Sequence, residues 1–486
     1  MSTLITCFVP ASGTETDTDL IDSLQHTGQI KETILLAPPT LKTSHAHIVC
    51  NHLWSTKTFK HIAQQVATPY TLILTKSLPL NPSPLAFERF IQVADDTQAA
   101  ITYADYWIRK DNQLVAHPLI DYQKGSLRDD FNFGSMLLIR TDVLKAVVND
   151  MQAAYKFAGL YELRLRASRM GNIVRIPEPL YTTIEADTRA SGDQQFDYVD
   201  PRNREVQIEM EEVCTTHLKI IDGWLAPEFN TPDLTSPQFA TEATVVIPVR
   251  NRERTIAEAV KSVLMQKTSF PFNLIVVDNH SSDSTPIILN ELAKTDDRLI
   301  HLLPDRHDLG IGGCWNHAVH HPQCGRFAIQ LDSDDLYIDD NVIQRIVDAF
   351  YQQQCAMVVG SYQMVNFNLE PIPPGLIDHR EWTPENGRNN ALRINGLGAP
   401  RAFFTPVLRQ MMVPNVSYGE DYAVGLRISR DYQIGRIYEP LYLCRRWEDN
   451  SDAALDISRL NTYNTYKDRI RTIELEARLH MNASKQ

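Results

Sequence analysis

The sequence predicts an α/β protein with two successive domains, each containing a mostly parallel sheet flanked by helices, and a helix at the C-terminus. Two observations lead to this fold class. Short runs of Val, Ile and Leu alternate with amphipathic helical segments, a pattern typical of a parallel sheet covered by helices. The same series of segments also occurs twice, in the same order, along the 486 residues.

The repeated segments indicate an internal duplication. As first-half and second-half pairs they are ITCFVP (5–10) and TVVIP (244–248), ETILLAPP (32–39) and NLIVVDNH (273–280), YTLILTKSLPL (70–80) and RFAIQLDSDDLY (326–337), and EPLY (178–181 and 439–442). A polar-faced helix is predicted to close each half, at 202–224 and 457–481. Residues 225–242 contain three prolines and little periodicity, so they are interpreted as a linker. The predicted domains are therefore 1–224 and 243–486.

Composition excludes several classes of protein. The net charge of −13 argues against a nucleic-acid-binding surface. No apolar run approaches the roughly 18 residues of a membrane span, and no basic stretch followed by an apolar one marks a leader. The seven cysteines are scattered without a C-x-x-C pair, which favours reduced thiols and gives no zinc signature. We therefore expect a cytoplasmic protein, with at most peripheral attachment at the inner face of the membrane.

An acidic segment follows the predicted strand 327–331. Asp339 and Asp340 fit the start of the next helix, where carboxylates accept hydrogen bonds from free N–H groups. The trio Asp332, Asp334 and Asp335 lies instead at the strand exit, where the carboxylates repel one another unless a cation joins them. From this segment alone, a divalent metal site and a set of helix-capping acids are equally favoured.

The ends of two predicted strands should meet. Asp278 ends LIVVD and Asp332 follows FAIQL. Ligands of parallel sheets bind at the carboxyl ends of the strands, so we expect both aspartates to face one crevice.

Six motifs of the second half resemble those of family 2 glycosyltransferases. They occur in the order typical of that family: VVIPVRNRE (245–253), VVDNHSSDST (276–285), DLGIGGCWN (308–316), LDSDD (331–335), GED (419–421) and CRRW (444–447). The resemblance implies an inverting enzyme with a GT-A, or nucleotide-diphospho-sugar transferase, fold in each half.

The same resemblance implies a donor site. Nucleotide binding is assigned to Pro248, Val249, Arg250, Glu253, Asp278, Asp332 and Ser333. Asp278 would contact the base edge, with a strand-end cap as the alternative role. Asp334, together with Asp332, would hold Mn²⁺ or Mg²⁺ against the donor phosphates. Gly310, Gly312 and Gly313 permit close backbone approach near this pocket, or merely form a turn.

The catalytic base implied by the resemblance is Asp421, with Glu420 beside it contacting acceptor hydroxyls. The alternative is an acid pair favoured by the dipole at a helix N-terminus. Arg445, Arg446 and Trp447 are the candidates for binding the diphosphate or the acceptor. Arg250 and Trp447 depart from the residues common in the family, an aromatic and a histidine.

The first half keeps the strand pattern but lacks this chemistry. Ala37 falls opposite Asp278, Ser77 opposite Asp334, and Leu160 opposite Asp421. We interpret this half as a degenerate, non-catalytic domain for packing, oligomerisation or acceptor binding. A second site there would need Lys76 in place of the cation and Glu162, the nearest carboxylate, as the base.

The function predicted is transfer of a sugar from a nucleotide-sugar donor, a UDP-sugar, to a glycan or a lipid-linked sugar. Arg388, Arg393 and Arg401 would either meet an anionic acceptor or be solvated. Two alternatives are a non-catalytic carbohydrate-binding or scaffold protein and a sugar-nucleotide nucleotidyltransferase. The second would need a glycine-rich loop after the first strand, which VRNRERT lacks. A homo-oligomer is compatible with each of these functions.

Overall fold

The computed structural model describes residues 3–184, 203–448, 450 and 455–485. The chain forms two compact units. Among the described residues, unit 1 comprises 3–184, 203–223 and 456–475, and unit 2 comprises 224–448, 450, 455 and 476–485. Both units have a mixed α/β architecture with helices on a central sheet, as the sequence predicts.

Unit 1 is built around a mostly parallel sheet with the order β10-β6-β9-β4-β1-β2-β3. A smaller sheet has the order β5-β11-β7-β8. The elements are β1 Ile5–Pro10, α1 Thr16–Gln25, β2 Ile30–Ala37, β3 His47–Val49, α2 Thr56–Gln65, β4 Tyr70–Leu74, β5 Leu80–Pro82, α3 Ala86–Thr97, β6 Ile101–Ala104, β7 Tyr106–Lys110, β8 Gln113–His117, β9 Met136–Arg140, α4 Thr141–Asp150, α5 Gly159–Ala167, β10 Ile173–Ile176, β11 Tyr181–Ile184 and α6 Arg204–Ile220.

Unit 2 is built around a sheet with the order β14-β13-β12-β15-β19-β17-β20-β16, and β18 pairs with β17. The elements are β12 Ala243–Val249, α7 Ile256–Leu264, β13 Phe272–Asp278, α8 Thr285–Ala293, β14 Leu299–Leu302, α9 Ile311–Val319, β15 Phe327–Gln330, β16 Leu336–Tyr337, α10 Val342–Gln353, β17 Met357–Val365, β18 Pro371–Ile377, α11 Gly387–Asn390, β19 Arg401–Phe404, α12 Thr405–Met411, α13 Glu420–Asp431 and β20 Ile434–Arg445. The last helix, α14, is Ile457–Ala483.

The two main sheets repeat one strand pattern. In unit 1, β1 lies between β2 and β4, parallel to both, and β9 runs antiparallel to β4 and β6. In unit 2, β12 lies between β13 and β15, parallel to both, and β19 runs antiparallel to β15 and β17. The last strands, β10 and β20, are parallel to β6 and β17. The predicted duplication is confirmed at the level of strand order and direction.

The core explains why these segments form a parallel sheet. Every residue of β13 is buried, as are six of the seven residues of β12, because helices cover both faces of such a sheet. On α7 the buried residues recur at helical spacing, at Ile256, Ala259, Val260 and Val263.

Two predicted boundaries are corrected by the structure. Residues 225–242 are not a free linker, since they belong to unit 2. Leu225 and Leu234 are buried there, and Asn230 forms a bridge with Tyr432. The C-terminal helix is also not wholly part of the second domain, because residues 456–475 belong to unit 1.

Buried polar contacts hold residues 456–475 in unit 1. Asp468 is fully buried and accepts hydrogen bonds from Ser126 Oγ and Arg471 Nη1, both at 2.8 Å. Thr472 Oγ1 accepts a hydrogen bond from Gly125 N at 3.0 Å. A Cβ on residue 125 would lie 2.2 Å from Thr472 N, so only glycine permits this approach.

Candidate active site

The carboxyl ends of three neighbouring strands form one edge of the unit 2 sheet. In the ladder between β12 and β13, Val249 is opposite Asp278. On the other side of β12, β15 ends at Gln330 and leads into Asp332. Asp278 and Asp332 thus lie at the carboxyl ends of the two strands that flank β12. Pro248 and Val249 lie between them.

Asp278 is fully buried at the end of β13. Its Oδ1 accepts a hydrogen bond from Ser281 N at 2.9 Å, and its Oδ2 lies 3.5 Å from His301 Nε2. Burial raises the pKa of Asp278, but the neighbouring His301 side chain and the hydrogen bonds from Ser281 outweigh burial and leave this pKa below its ordinary value. The carboxylate is thus charged at neutral pH and also caps the turn after its strand.

The loop after β12 is tied to the loop after β13. Asn251 Oδ1 accepts a hydrogen bond from Ser282 N at 2.7 Å, and Glu253 Oε2 accepts one from Ser284 N at 2.9 Å. Ser284 immediately precedes α8, so Glu253 satisfies a free N–H group at the start of that helix. The structure thus gives Glu253 a capping contact within the loop, whereas Arg250 is exposed.

The acidic trio after β15 is held by specific donors. Asp332 Oδ1 accepts a hydrogen bond from Gln330 Nε2 at 2.8 Å. Asp334 Oδ2 accepts from Trp447 Nε1 at 3.1 Å and from Asn450 Nδ2 at 3.3 Å. The carbonyl oxygen of Ser333, between them, accepts a hydrogen bond from Thr255 Oγ1 at 3.0 Å.

The trio is also electrostatically strained. Burial raises the pKa of Asp334, the Trp447 hydrogen bond lowers it, and the charge of Asp332 raises it, leaving this pKa above its ordinary value. Burial, followed by the charges of Asp334 and Asp332, raises the pKa of Asp335 well above its usual range. Asp335 Oδ1 accepts a hydrogen bond from Arg445 N at 2.7 Å.

These residues fit a divalent cation. Carboxylate oxygens are the ligands that Mg²⁺ and Mn²⁺ prefer. The mutual repulsion that raises the pKa of Asp334 is the repulsion that a cation would remove. Within 3–184, 203–448, 450 and 455–485, no group of three or more His, Cys, Asp or Glu side chains is arranged as a complete metal site.

The CRRW segment lies beside Asp334, but its arginines differ in environment. The Arg445 side chain is only 2% exposed and donates a hydrogen bond to Glu258 Oε2 at 2.7 Å. Arg446 N donates a hydrogen bond to Val365 O at 2.8 Å, which holds the Arg446 backbone against β17. Within this segment, the Trp447 side chain contacts Asp334 and the Arg445 backbone N–H contacts Asp335.

Two arginines near Asp334 were missed by the sequence analysis. Arg252 Nε lies 3.8 Å from Asp334 Oδ2. The Arg254 guanidinium lies 4.8 Å from the centre of the Trp447 ring, and its side chain is 52% exposed. The alternating arginines of VRNRERT, directly after a strand, are the signal that could have identified them.

Glu420 and Asp421 begin α13, as the GED motif predicts. Gly419 precedes them with φ of 79°, a backbone conformation that favours glycine. Arg401 Nη1 forms an ion pair with Asp421 Oδ2 at 2.5 Å. This pairing was not predicted.

Glu420 differs from Asp421 in its burial. It is 9% exposed, and its Oε2 has no hydrogen-bond partner among the described residues. Burial, and then the charge of Asp421, raises the pKa of Glu420 to about 8. Asp332 also contributes to this shift, so the start of α13 lies within electrostatic range of the acidic trio.

The expectation that Arg388 and Arg393 are solvated or meet an acceptor is wrong. Both are buried, at 3% and 1% exposure. Arg388 donates hydrogen bonds to the carbonyl oxygens of Ala226 and Glu228, and Arg393 Nε donates to Asn390 Oδ1. The two arginines stabilise the interior of unit 2.

The glycines at the start of α9 allow another part of the chain to approach. A Cβ on Gly312 would lie 1.8 Å from Pro414 O, and one on Gly310 would lie 2.6 Å from Val416 C. A Cβ on Gly313 would lie 2.2 Å from Asn415 Oδ1. A Cβ on any of these three glycines would thus clash with residues 413–416, shortly before the GED motif, and one on Gly313 also with Leu309.

The corresponding positions in unit 1 contain no such carboxylates. Ala37 ends β2, as Asp278 ends β13, and Leu160 is the second residue of α5, as Asp421 is of α13. Glu162 is 5% exposed, and its Oε1 accepts a hydrogen bond from Arg166 Nε at 2.8 Å. Glu162 thus forms an ion pair within its own helix.

The central part of unit 2 is similar to known proteins. Residues 244–412 match the model of the family described as glycosyl transferase family 2. An Escherichia coli relative, named UDP-Glc:alpha-D-GlcNAc-diphosphoundecaprenol beta-1,3-glucosyltransferase WfgD, is 29% identical over 200 residues, which cover 40% of this chain and 72% of the relative. A Campylobacter jejuni relative, named GalNAc(5)-diNAcBac-PP-undecaprenol beta-1,3-glucosyltransferase, is 33% identical over 91 residues, covering 19% of this chain and 29% of the relative.

Solved structures also resemble the chain. TarS residues 1–349 from S. aureus, in complex with UDP-GlcNAc, aligns with a TM-score of 0.37 and 21% identity, covering 49% of this chain and 72% of that one. Separately, none of the helices among the described residues is both long and apolar enough to cross a membrane.

Proposed function

We propose that this chain, a glycosyltransferase of family 2 through its residues 244–412, transfers a sugar from a UDP-sugar to a lipid-linked sugar or glycan, with inversion at the anomeric carbon. The observation on which this rests is the position of Asp278 and Asp332 at one sheet edge, together with the ion pair that holds Asp421 against Arg401 and the effect of the Asp332 charge on Glu420. A donor site and a base facing each other are what a single displacement requires.

In the proposed reaction Asp421 is the base. It accepts the proton of the acceptor hydroxyl as that oxygen forms a bond to the anomeric carbon. The bond from this carbon to the diphosphate breaks, and the nucleoside diphosphate leaves with the electron pair. General-base catalysis of this kind contributes about 10²–10⁴ in rate. Arg401 orients the carboxylate through its ion pair, while Glu420, with a pKa of about 8, stays mainly neutral at pH 7.

The donor would bind along the sheet edge. The charged carboxylate of Asp278 is suited to accept hydrogen bonds from a nucleobase, and Pro248 and Val249 form the adjacent strand end. Asp332 and Asp334 would hold Mn²⁺ or Mg²⁺. A bound cation supplies charge neutralisation for the leaving diphosphate. Arg252 and Arg254, rather than the buried Arg445, are the arginines whose exposure suits contact with phosphate oxygens.

The acceptor class is proposed from the relatives. The printed names of the E. coli and C. jejuni proteins specify sugars linked to undecaprenol through a diphosphate. An acceptor of that class stays at a membrane surface, so the enzyme would work as a peripheral protein at the cytoplasmic face. Unit 1 would serve packing, oligomerisation or acceptor binding, because its equivalent positions are Ala37, Ser77 and Leu160.

The test is a transfer assay on the full chain. Purified protein is incubated with UDP-glucose, UDP-GlcNAc or UDP-galactose, Mn²⁺ and undecaprenyl-diphosphate-linked GlcNAc, and the lipid product is detected by mass spectrometry. We expect one donor to yield product and Asp421→Asn to lose at least about a hundredfold in kcat. Asp431→Asn is the matched control, since Asp431 is on the same helix and is equally exposed, at 27%. Equal loss in both variants, or full activity of Asp421→Asn, would refute the assignment of the base.

A further inference from the structure

The side chain of Gln330 uses both ends of its amide. Gln330 is the last residue of β15 and is 3% exposed. Its Oε1 accepts a hydrogen bond from Arg401 N at 3.1 Å, and its Nε2 donates to Asp332 Oδ1 at 2.8 Å. A backbone N–H can only donate, so this contact fixes which end of the amide is the oxygen.

The sheet explains why a glutamine is needed at this position. The antiparallel ladder between β15 and β19 pairs Phe327 with Phe404 and Ile329 with Ala402. Gln330 and Arg401 come next in this register, where the regular ladder stops. The Gln330 side chain satisfies the N–H group of Arg401, which would otherwise be left without this bond. Tyr337 Oη also donates a hydrogen bond to Gln330 O at 2.9 Å, which holds the backbone of the same residue.

Arg401 extends the contact to the start of α13. Its Nη1 forms the ion pair with Asp421 Oδ2 at 2.5 Å and donates to Gly398 O at 3.0 Å. Contacts therefore run from Asp332 through Gln330 to the backbone of Arg401, and from the Arg401 side chain to Asp421. They join the carboxylate assigned to the donor side with the carboxylate assigned to the acceptor side.

We propose that Gln330 is a positioning residue that couples donor binding to the alignment of the base; this rests on the function proposed above. A donor that fixes the Asp332 carboxylate also fixes the Gln330 amide, and through Arg401 the position of Asp421. Gln330 touches neither substrate. Its effect comes from geometry, because a misplacement of about 1 Å in a reacting group can cost on the order of a hundredfold in rate.

Two substitutions of Gln330 separate its contact with Asp332 from its contact with Arg401. Gln330→Glu keeps an oxygen that accepts from Arg401 N but places a second carboxylate oxygen against Asp332 Oδ1. Gln330→Met has a similar length and removes both hydrogen bonds. We expect Gln330→Glu to weaken donor binding more than tenfold while kcat at saturating donor falls less than threefold. We expect Gln330→Met to lower kcat more than tenfold as well.

Gln266→Met is the matched control. Gln266 is also buried, at 5% exposure, and also bridges two groups, accepting a hydrogen bond from Ile343 N and donating to Asp339 O. The Gln266→Met variant therefore shows how much stability and activity are lost when a buried bridging amide is removed away from the contacts between Asp332 and Asp421. The melting temperatures of all variants are measured with their kinetics, and we expect Gln266→Met to lose stability but keep kcat and donor KM within twofold.

A second readout does not depend on transfer. Hydrogen exchange of the peptide containing Arg401 is measured with and without UDP and Mn²⁺. Donor-induced protection in the wild type that disappears in Gln330→Met supports the coupling. Wild-type kinetics and protection in Gln330→Met, or an equal kinetic loss in Gln266→Met, would overturn it. A wild-type chain that neither binds UDP nor transfers sugar would overturn the proposed function, and this inference with it.

Discussion

Replacing Glu420 by glutamine should stabilise unit 2 in a way that depends on pH. The pKa of this buried carboxyl is about 8, against an ordinary value of 4.5. Below pH 4.5 the carboxyl is protonated in both the folded and the unfolded chain, so it has no pH-dependent effect on folding. As pH rises from 4.5 to 8, the unfolded chain releases this proton while the folded chain retains it. The wild type therefore loses stability across this window, and above pH 8 the loss is complete.

The magnitude follows from the same two pKa values. One unit of pKa difference corresponds to about 1.4 kcal/mol. The full effect at pH 8.5 is thus at most about 5 kcal/mol, and the partial exposure of the site and its joint titration with Asp421 reduce it. Glutamine cannot ionise, so the free energy of unfolding of Glu420→Gln, relative to wild type, should rise by about 1 kcal/mol or more per pH unit between pH 5 and pH 8.

Hydrogen exchange of peptides from α13 measures this difference, with the two proteins compared at the same pH so that intrinsic exchange rates cancel. Glu439→Gln, which changes an exposed glutamate of the same unit, is the control and should show almost no pH-dependent difference. A difference between Glu420→Gln and wild type that is constant from pH 5 to pH 8.5 would refute the raised pKa.

Three further predictions concern the metal, unit 1 and the glycines. Asp334→Ala should weaken UDP binding in the presence of Mn²⁺ more than about tenfold, measured by calorimetry; equal affinity with excess chelator would argue against the metal. The double variant Asp334→Ala, Asp421→Asn should show no residual sugar transfer, whereas activity lost only on mutation of Glu162 or Lys76 would reveal a second site. Gly312→Ala should lower the free energy of unfolding by about 1–3 kcal/mol or more, because its methyl group would lie 1.8 Å from Pro414 O. Gly171→Ala, with nearest contacts at 3.3 Å, should cost much less in the same denaturation experiment.

The order of the strands could be predicted from the sequence because each strand is an apolar run bounded by turn residues. The position of the candidate active site followed from that order. Asp278 and Asp332 each end such a run, and parallel strands bring their carboxyl ends to one edge. This reasoning needs only the order and direction of the strands, which local patterns largely determine.

The pairing of charges could not be predicted in the same way. Arg401 begins a strand and Asp421 lies in the first turn of a helix, so their ion pair depends on how these elements pack. The burial of Arg388 and Arg393 has the same origin, since their acceptors are carbonyl oxygens and an amide brought close by folding. Periodicity shows that a helix has a buried face but not which element covers that face, which is why residues 456–475 were assigned to the wrong domain.

The membership of residues 456–475 in unit 1 has a consequence for synthesis of the chain. The other described residues of unit 1 all precede residue 224 and are therefore synthesised first. The helix with Asp468 is synthesised only after residues 224–455. At translation rates of about 5–20 residues per second, the gap is on the order of 10–50 s. During that time Arg128, only 3% exposed in the finished unit, lacks the carboxylate that lies 3.3 Å from its Nε. The first unit to be synthesised is thus completed almost last.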